Sequence, residues 1–344
     1  MTLFDAVYIN QGGGKVLLEY LIQVLIKEKL INNFSFLLDN RLQSEYIKFI
    51  PNQTLIEPSE TYRQKIYNKN KGKFDKIFCF SNVPPPIKVI DSEVFIFFQN
   101  AHILNPSLGS LSLKLRFNYF LKKKYIQSKN LRSYKWIVQT SNLKQMLYAE
   151  MLNRKQDIFI LPFFDANKFV NDDKGRESNR KKNQFLFVAS GQIQKNHEYL
   201  FDVWDFLFDK YKINLTLYIT IENPSNIQKD RIYRFIEKGI NVINLGNISF
   251  EKLKTLYEES DYLVFPSQIE SLGLPLIEAA AAGCKIIAIN KPYVNDVIKP
   301  SATFNDKDIN SLASIIIGIT KGNILPSSKI ILKECTYELI RLIK

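Results

Sequence analysis

Two glutamates, separated by seven residues, lie where an apolar strand turns into a helix. Glu270 follows the predicted strand 261–266, and Glu278 falls in the first turns of a helix in which Pro275 suits the first position. Ligands of α/β proteins bind at the carboxyl ends of parallel strands, where carboxylates accept hydrogen bonds from sugar or ribose hydroxyls. The simpler alternative is a loop glutamate and a glutamate that complements a helix N-terminus.

Polar groups follow other predicted strands as well. Residues 11–15 (QGGGK) come after strand 5–10, and glycines there let a backbone approach an anion closely. A tight strand-to-helix turn is the alternative, and the spacing of a P-loop is absent. His102 follows the apolar strand 94–99 and is one of only two histidines, so it is a site candidate or a satisfied structural residue.

The second half of the chain repeats this arrangement. Ser190 and Gly191 follow predicted strand 184–189, and Lys195 comes shortly after them. Asn247 and Ile248 follow predicted strand 241–245, just before Ser249, which suits the N-cap of a helix.

Strands and helices alternate through both halves, which predicts parallel α/β sheets. The predicted strands also include 34–38, 75–81, 135–139, 158–162, 215–220 and 285–289. A polar stretch at 165–183 reads as a linker. We therefore predict two Rossmann-like domains that face a cleft, at 1–165 and 184–326, followed by an amphipathic helix at 327–344.

The spacing Glu-x7-Glu with an internal Gly-Leu-Pro, followed by small residues, resembles the large family of retaining GT-B glycosyltransferases of the O-antigen and lipopolysaccharide type. Glu270, Glu278, Lys195 and His102 occur in the order that the family shows. The resemblance implies transfer of a sugar from a nucleotide diphosphate-sugar to a glycan or lipid-linked glycan with retention of configuration. It also implies that the terminal helix packs back on the first domain.

The resemblance assigns roles residue by residue. Glu270, His102 and Lys195 are the expected catalytic residues: Glu270 supports the anomeric carbon, His102 contacts the donor sugar and Lys195 binds the diphosphate. The expected donor-binding residues are Gly13, Gly14, Ser190, Gly191, Asn247, Ile248, Ser271, Leu272, Gly273, Leu274 and Glu278. The family often has an arginine where this chain has Ser190. Because charge-assisted hydrogen bonds are about twice as strong as neutral ones, we expect weaker stabilisation of the diphosphate.

Composition limits the remaining alternatives. Three scattered cysteines give no disulfide framework and fit a reducing cytoplasm. No apolar run approaches the roughly 20 residues of a membrane span, and no signal peptide opens the sequence. No Asp-x-Asp pair stands beside a strand end, so we expect no metal and no cofactor besides the nucleotide-sugar co-substrate.

Basic charge is concentrated in one segment. Residues 101–150 hold nine lysines and arginines and one acidic residue. Within 111–136 they alternate with aromatic and aliphatic residues, which favours docking on an anionic membrane. The membrane- or acceptor-side candidates are Lys114, Arg116, Lys122, Lys123 and Lys124. A solvated basic face and a nucleic-acid surface are the alternatives, although no nucleic-acid-binding motif accompanies the segment.

Together with the basic segment, the resemblance therefore implies an enzyme on the inner face of the cytoplasmic membrane that acts in bacterial surface polysaccharide synthesis. Its expected partners are a nucleotide-sugar, a glycan acceptor and the membrane, and not nucleic acid. The rival hypothesis is a noncatalytic membrane scaffold of the same fold, which Ser190 supports.

Overall fold

The computed structural model describes residues 1–104, 113–152, 156–170 and 180–344. These residues divide into two compact units. The first unit contains the described residues up to Asp165 together with Lys333–Lys344, and the second contains those from Ala166 to Leu332. Residues 171–179 of the predicted linker and residues 111–112 at the start of the predicted basic segment lie outside the described residues.

The first unit is a parallel α/β unit. Its described strands and helices are β1 (Thr2–Ala6), α1 (Gly12–Lys27), β2 (Phe34–Asp39), β3 (Gln53–Ile56), α2 (Glu60–Lys69), β4 (Lys76–Cys79), β5 (Glu93–Phe97), α3 (Ala101–Leu104), α4 (Leu113–Lys129), β6 (Lys135–Val138), α5 (Ser141–Glu150) and β7 (Ile158–Ile160). The described strands pair in the order β3-β2-β1-β4-β5-β6-β7. The order reverses between β1 and β4, so the topological switch point lies between these two strands.

Aromatic side chains fill the centre of this sheet. The ring of Phe4 lies 4.9 Å from that of Phe36 and 5.1 Å from that of Phe78, between centroids. Phe80 continues the cluster to Phe97, with centroids 5.0 Å apart. Strands buried on both faces need such continuous apolar runs, which explains why the sequence of this half is rich in phenylalanine and isoleucine.

The second unit has the same plan. Its described elements are β8 (Lys181–Phe187), α6 (His197–Tyr211), β9 (Leu217–Ile219), α7 (Asn226–Lys238), β10 (Val242–Asn244), α8 (Phe250–Glu259), β11 (Ser260–Phe265), α9 (Leu274–Ala281), β12 (Lys285–Ile289), α10 (Pro292–Val297), β13 (Ile298–Lys299), β14 (Ala302–Phe304), α11 (Ile309–Thr320) and β15 (Lys329–Ile330). The main sheet has the order β10-β9-β8-β11-β12-β14, and its described pairs are parallel. Its switch point lies between β8 and β11.

The chain ends in helix α12 (Thr336–Ile343), which packs against the first unit. The hydroxyl of Thr2 donates to the Ile343 carbonyl at 2.7 Å, and Lys76 Nζ donates to the Leu342 carbonyl at 2.9 Å. Leu339 and Ile343 are fully buried. The return of a terminal helix to the first unit, which the resemblance implied, is therefore present.

Several predicted boundaries are wrong. The terminal helix begins at Thr336 and not at 327, because residues 329–330 form strand β15, which pairs antiparallel with β13. Helix α1 begins at Gly12, so the glycines lie in its first turn and not in a loop before it. Strands β3 and β14 were not predicted, because each is short and partly exposed.

Among the described residues, no helix has both the length and the apolar character that crossing a bilayer requires.

Candidate functional site

An ion pair joins the two predicted catalytic residues of the second unit. Lys195 Nζ lies 2.5 Å from Glu270 Oε1, and both side chains are less than one-fifth exposed, at 19% and 14%. The Ser267 hydroxyl donates to the same carboxylate oxygen at 2.6 Å. Together these three residues form a compact cationic and anionic cluster beyond the carboxyl ends of β8 and β11, at the switch point of this sheet.

The backbone holds this cluster in place from both sides. Lys195 ends a short 3-10 turn, Ile193–Lys195, and the following Asn196 has a positive φ of 61°. The amide of Gln268 donates to the Gln194 carbonyl at 2.8 Å, which fastens the loop of Glu270 to this turn. The Tyr293 hydroxyl donates to the Ser267 carbonyl. The charged side chains therefore project from fixed backbone.

The Gly-Leu-Pro segment forms the start of helix α9. Gly273 is its N-cap, with a positive φ of 73° that a residue with a Cβ adopts at a cost, and as a glycine it has no side chain with which to cap the helix. Leu272 is buried and Ser271 and Leu274 are half-buried. The first amides of a helix have no partner within it and carry partial positive charge, so the start of α9 can bind anionic or hydroxyl oxygens.

Glu278 lies one turn further along α9. Its carboxylate accepts a hydrogen bond from the Tyr257 hydroxyl at 2.9 Å. Burial raises the pKa of Glu278 to about 7, and the hydrogen bond from Tyr257 opposes this rise only in part. A carboxylate in such surroundings gains from any further hydrogen-bond donor, which is what the two hydroxyls of a ribose provide.

Ser190 and Gly191 differ in what the structure requires of them. Ser190 is exposed. A Cβ on Gly191 would lie 2.8 Å from the Ile221 side chain and 2.9 Å from Gln228 Oε1. Gly191 is therefore needed for close packing, independently of any ligand.

Asn247 and Ile248 lie in the loop after β10 at the same edge of the sheet. Asn247 is exposed, and its side-chain amide donates to the Glu222 carboxylate at 3.2 Å. Ser249 caps helix α8 as predicted, accepting from the Lys252 amide at 3.3 Å.

His197, the second histidine, is a core residue of this unit. Its ring lies 4.7 Å from that of Phe187 and 6.2 Å from that of Phe201, between centroids. Burial and the nearby Lys195 lower the pKa of His197 to about 3. The ring is therefore neutral at physiological pH and cannot supply a proton, so His197 serves packing.

The other predicted site residues belong to the first unit. Gly13 is exposed and Gly14 half-buried in the first turn of α1, and a Cβ on Gly14 would reach Ile9 and Gln99 at ordinary contact distances. His102 lies on α3 directly beyond β5, with its ring stacked on Tyr119 at 6.2 Å between centroids. The contact of His102 with a donor sugar stays a prediction.

The predicted basic residues all lie on α4. Lys114, Lys122 and Lys124 are exposed, whereas Arg116 is half-buried and Lys123 forms an ion pair with Glu150 at 2.9 Å. One face of the helix presents large apolar side chains to solvent at helical spacing, and we call it the α4 apolar face: Leu113, Phe117, Phe120 and Leu121, between 48% and 82% exposed. Charged residues therefore flank an uncovered apolar stripe.

The sequence did not predict Ser267 and Tyr257, which donate hydrogen bonds to the two predicted glutamates. Ser267 lies two residues after the end of β11, so its place after a strand was a usable signal. Tyr257 was not recognisable, because an aromatic residue at helical spacing in α8 reads as core. Among the described residues, no group of three or more histidine, cysteine or acidic side chains could hold a metal ion.

Known proteins support the reading of the second unit. Residues 169–329 match the family model described as glycosyl transferases group 1. The chain carries a glycosyl transferases group 1 domain. The chain is 31% identical over 147 residues to the capsular polysaccharide biosynthesis glycosyltransferase CapH of Staphylococcus aureus, covering 40% of this chain and 39% of CapH. It is 29% identical over 154 residues to the O-antigen chain mannosyltransferase RfbU of Salmonella typhimurium, covering 44% and 42%.

The chain thus spans about two-fifths of the length of these curated relatives. Solved structures extend the likeness beyond the group 1 domain to the whole fold. WaaG, a glycosyltransferase involved in lipopolysaccharide biosynthesis, has a TM-score of 0.68 at 11% identity over 100% of both chains. Anabaena HepE, solved with UDP and glucose, has a TM-score of 0.65 at 12% identity, covering 94% of this chain and 90% of that one. The predicted GT-B fold class, with two Rossmann-like parallel-sheet domains, is confirmed.

Proposed function

We propose that this protein transfers a sugar from a nucleotide diphosphate-sugar to a hydroxyl of a glycan or lipid-linked glycan, with retention of anomeric configuration, in bacterial surface polysaccharide synthesis. The observation that carries the proposal is the cluster of Lys195, Glu270 and Ser267 at the switch point of a group 1 domain. CapH and RfbU, named for capsule and O-antigen synthesis, support the biosynthetic context.

The second unit holds the donor in this proposal. Lys195 binds the diphosphate, and Glu278 accepts hydrogen bonds from the ribose. The backbone amides at the start of α9, between Ser271 and Leu274, hold sugar and phosphate oxygens. Ser190 and the backbone of Gly191 supply neutral donors where an arginine would supply charged ones, and the loop of Asn247 and Ile248 borders the base.

The reaction breaks the bond between the anomeric carbon and the phosphate oxygen and forms a bond from that carbon to the acceptor oxygen on the same face. The acceptor proton passes to the departing phosphate. Lys195 stabilises the negative charge that grows there, and Glu270 supports the positive charge at the anomeric carbon. Because Ser267 and the loop backbone already fix this pair, little reorganisation is needed as charge develops. No metal takes part, so turnover persists in EDTA.

A donor panel tests the proposal. We expect one of the UDP-, GDP- or ADP-sugars to raise the melting temperature selectively, since a ligand at 100 times its dissociation constant stabilises by about 2.7 kcal/mol. Lys195→Ala abolishes the shift, whereas Lys210→Ala, at an exposed lysine of the same unit, keeps it. A folded wild-type protein that no donor stabilises would favour the noncatalytic scaffold. Salt-sensitive nucleic-acid binding in its place would favour the basic-face alternative.

We also propose that α4 docks the first unit on an anionic membrane. The α4 apolar face would insert at the level of the lipid headgroups, and Lys114, Lys122 and Lys124 would meet anionic lipid, each contributing about 1 kcal/mol. Lys123 contributes least, because Glu150 already neutralises it.

Vesicle binding tests the role of α4. Sedimentation with phosphatidylcholine vesicles, with and without about one-third phosphatidylglycerol, should show binding only to the anionic vesicles. The double variant Phe117→Ser and Phe120→Ser should bind about tenfold more weakly, because it transfers less apolar surface from water into the lipid on binding. Phe49→Ser, at a phenylalanine of the same unit that is 53% exposed, is the matched control. Equal binding of both variants would contradict the role of α4.

A further inference from the structure

The first unit contains a cavity of about 490 Å³ that none of the assigned roles uses. It lies beyond the carboxyl ends of β1 and β4, at the switch point of the sheet, and helix α4 forms its outer wall. Its polar lining includes Tyr8, Glu60, Ser81, Asn82, Asn100 and Lys122. This volume falls in the range of small-molecule sites, and the position is where open α/β sheets bind ligands.

Glu60 gives the cavity an ionised acceptor. Its carboxylate receives hydrogen bonds from the Tyr8 hydroxyl at 2.7 Å and the Tyr125 hydroxyl at 2.5 Å, and pairs with Arg63 at 2.8 Å. Burial by itself raises the pKa of Glu60, but Arg63 and the two tyrosines outweigh it and hold the pKa below its usual value. The side chain remains 34% exposed, so its oxygens still have room to accept from a ligand.

Buried partners hold Arg63 in place. Its guanidinium is fully buried and forms an ion pair with the Asp5 carboxylate at 2.8 Å, and the Tyr67 hydroxyl also donates to that carboxylate at 2.7 Å. The Arg63 guanidinium also donates to the Pro84 carbonyl at 3.2 Å. Because the arginine is committed to these partners, it cannot move into the cavity to bind an anion, and it acts by holding Glu60.

Two features of the lining point to a role in ligand binding. Ser81 is 3% exposed, and its hydroxyl has no hydrogen-bond partner in the part of the chain that the structure describes. Buried hydroxyls are nearly always paired, so a ligand group is a candidate partner. Tyr8 has a positive φ of 81°, a conformation that is an outlier for a bulky residue and is found where backbone strain serves a site.

The rest of the lining is apolar. Ile9, Val83, Ile103, Leu121 and Ile126 face the same space. A wall of aliphatic side chains opposite an ionised carboxylate suits a ring that has hydroxyls at its edge and C–H groups on its faces. It suits a phosphate or carboxylate less, because Glu60 would repel an anion, although the Lys122 side chain also lines the space.

We propose that this cavity, the Glu60 cavity, binds an uncharged sugar ring of the acceptor, with Glu60 accepting from its hydroxyls and Tyr8 and Tyr125 positioning Glu60. The inference rests on the proposed glycosyltransferase function. It adds to that function the substrate class at the acceptor end: a neutral saccharide rather than a phosphorylated or acidic one. Leu121, Lys122 and Tyr125 belong to α4, so one helix would both touch the membrane and wall the sugar site, which suits an acceptor held by a lipid.

Saturation-transfer NMR tests the cavity without knowledge of the natural acceptor. The probes are the methyl α-glycosides of glucose, galactose and mannose, with N-acetylglucosamine, and glucose 6-phosphate as the charged comparison. Val83→Phe fills the cavity, and Glu60→Gln removes its charge while keeping its shape. Ile90→Phe, at a side chain of the same unit that is 71% exposed and precedes β5, is the matched control. The melting temperature with nucleotide-sugar is measured on each variant.

We expect at least one neutral sugar to receive saturation in the wild type and in Ile90→Phe. The signal should fall at least fivefold in Val83→Phe and weaken in Glu60→Gln, while glucose 6-phosphate shows none. Equal sugar signals in Val83→Phe and the wild type, no sugar signal in the wild type, or preference for the phosphate would each overturn the inference. If the inference is overturned but nucleotide-sugar still raises the melting temperature, the proposed function stands. If nucleotide-sugar raises the melting temperature of neither the wild type nor any variant, the proposed function itself is contradicted.

Discussion

Glu278 gives the sharpest physical test of the donor site, because the proposed ligand and the fold make opposite demands on its charge. The substitution Glu278→Gln keeps the shape and a hydrogen-bond acceptor for Tyr257 but removes the negative charge. A carboxyl group whose pKa is raised by folding destabilises the folded state once it ionises. The loss of stability therefore sets in as the pH rises from 4.5 toward 7 and is complete above pH 7.

The size of this effect follows from the same shift. A rise in the pKa from 4.5 to about 7 corresponds to about 3 kcal/mol. Glu278 retains some contact with solvent, so we expect about 2 kcal/mol to be measured. Glu278→Gln should thus unfold like the wild type at pH 4.5 and be about 2 kcal/mol more stable at pH 8.5.

Urea unfolding of both proteins between pH 4.5 and 8.5 measures this difference, with a fluorescence signal assigned to the second unit. A stability difference that does not change with pH, or a variant less stable than the wild type at pH 8.5, would refute the reasoning. Tyr257→Phe is the control: losing the hydrogen bond that lowers the pKa should move the transition to higher pH.

Donor binding should favour the ionised form of Glu278, whereas folding favours the protonated form. If the ribose hydroxyls need the ionised carboxylate, the apparent affinity scales with the ionised fraction of Glu278. With a pKa of about 7, the nucleotide-sugar should bind about tenfold more tightly at pH 8 than at pH 6, with release of a proton. Glu278→Gln should bind weakly at both pH values. Calorimetry in buffers of different ionisation enthalpy detects the proton, and its absence would place the ribose elsewhere.

Further predictions concern the fold around the two sites. Arg63→Ala should destabilise the first unit by about 3–5 kcal/mol in urea unfolding, because it leaves Asp5 buried without its partner; a loss below 1 kcal/mol would contradict this. Gly191→Ala should cost about 1–3 kcal/mol through overpacking against Ile221, even without donor, and unchanged stability would leave only a ligand role. The wild type should lose stability as the pH falls from 6.5 to about 3, because His197 binds a proton there in the unfolded chain but not in the folded protein. His197→Phe should reduce this loss, and an equal loss of unfolding free energy in both proteins would contradict the reasoning.

The sequence predicted most of the sheet positions, because strands buried on both faces appear as apolar runs. Strands such as β5, β6 and β11 have such runs, and their predicted spans were close to the observed ones. Strand β3 was not predicted, because it lies at the sheet edge and exposes Thr54 and Leu55. The terminal helix was predicted too long because an apolar-polar alternation over so few residues fits strand β15 as well as a helix.

The site was predictable only in its outline. Glu270 and Lys195 are 75 residues apart, and each was chosen for its place after a strand and by resemblance. Their direct contact depends on the backbone bond between Gln268 and Gln194, which no local pattern reveals. The Glu60 cavity was invisible for the same reason: its lining comes from several separate loops and a helix, and Glu60 reads as an ordinary first-turn glutamate of α2.

The stereochemistry of transfer tests the central claim most directly. The nucleotide-sugar that stabilises the protein is incubated with it in dilute methanol, and the methyl glycoside is identified by its anomeric proton in NMR. Methyl glycosides do not interconvert in solution, so the product records the configuration at transfer. We predict that an α-linked donor yields the methyl α-glycoside with wild type and with Lys210→Ala, and far less with Lys195→Ala. The methyl β-glycoside would contradict retention, and no product from a donor that binds would contradict the transferase itself.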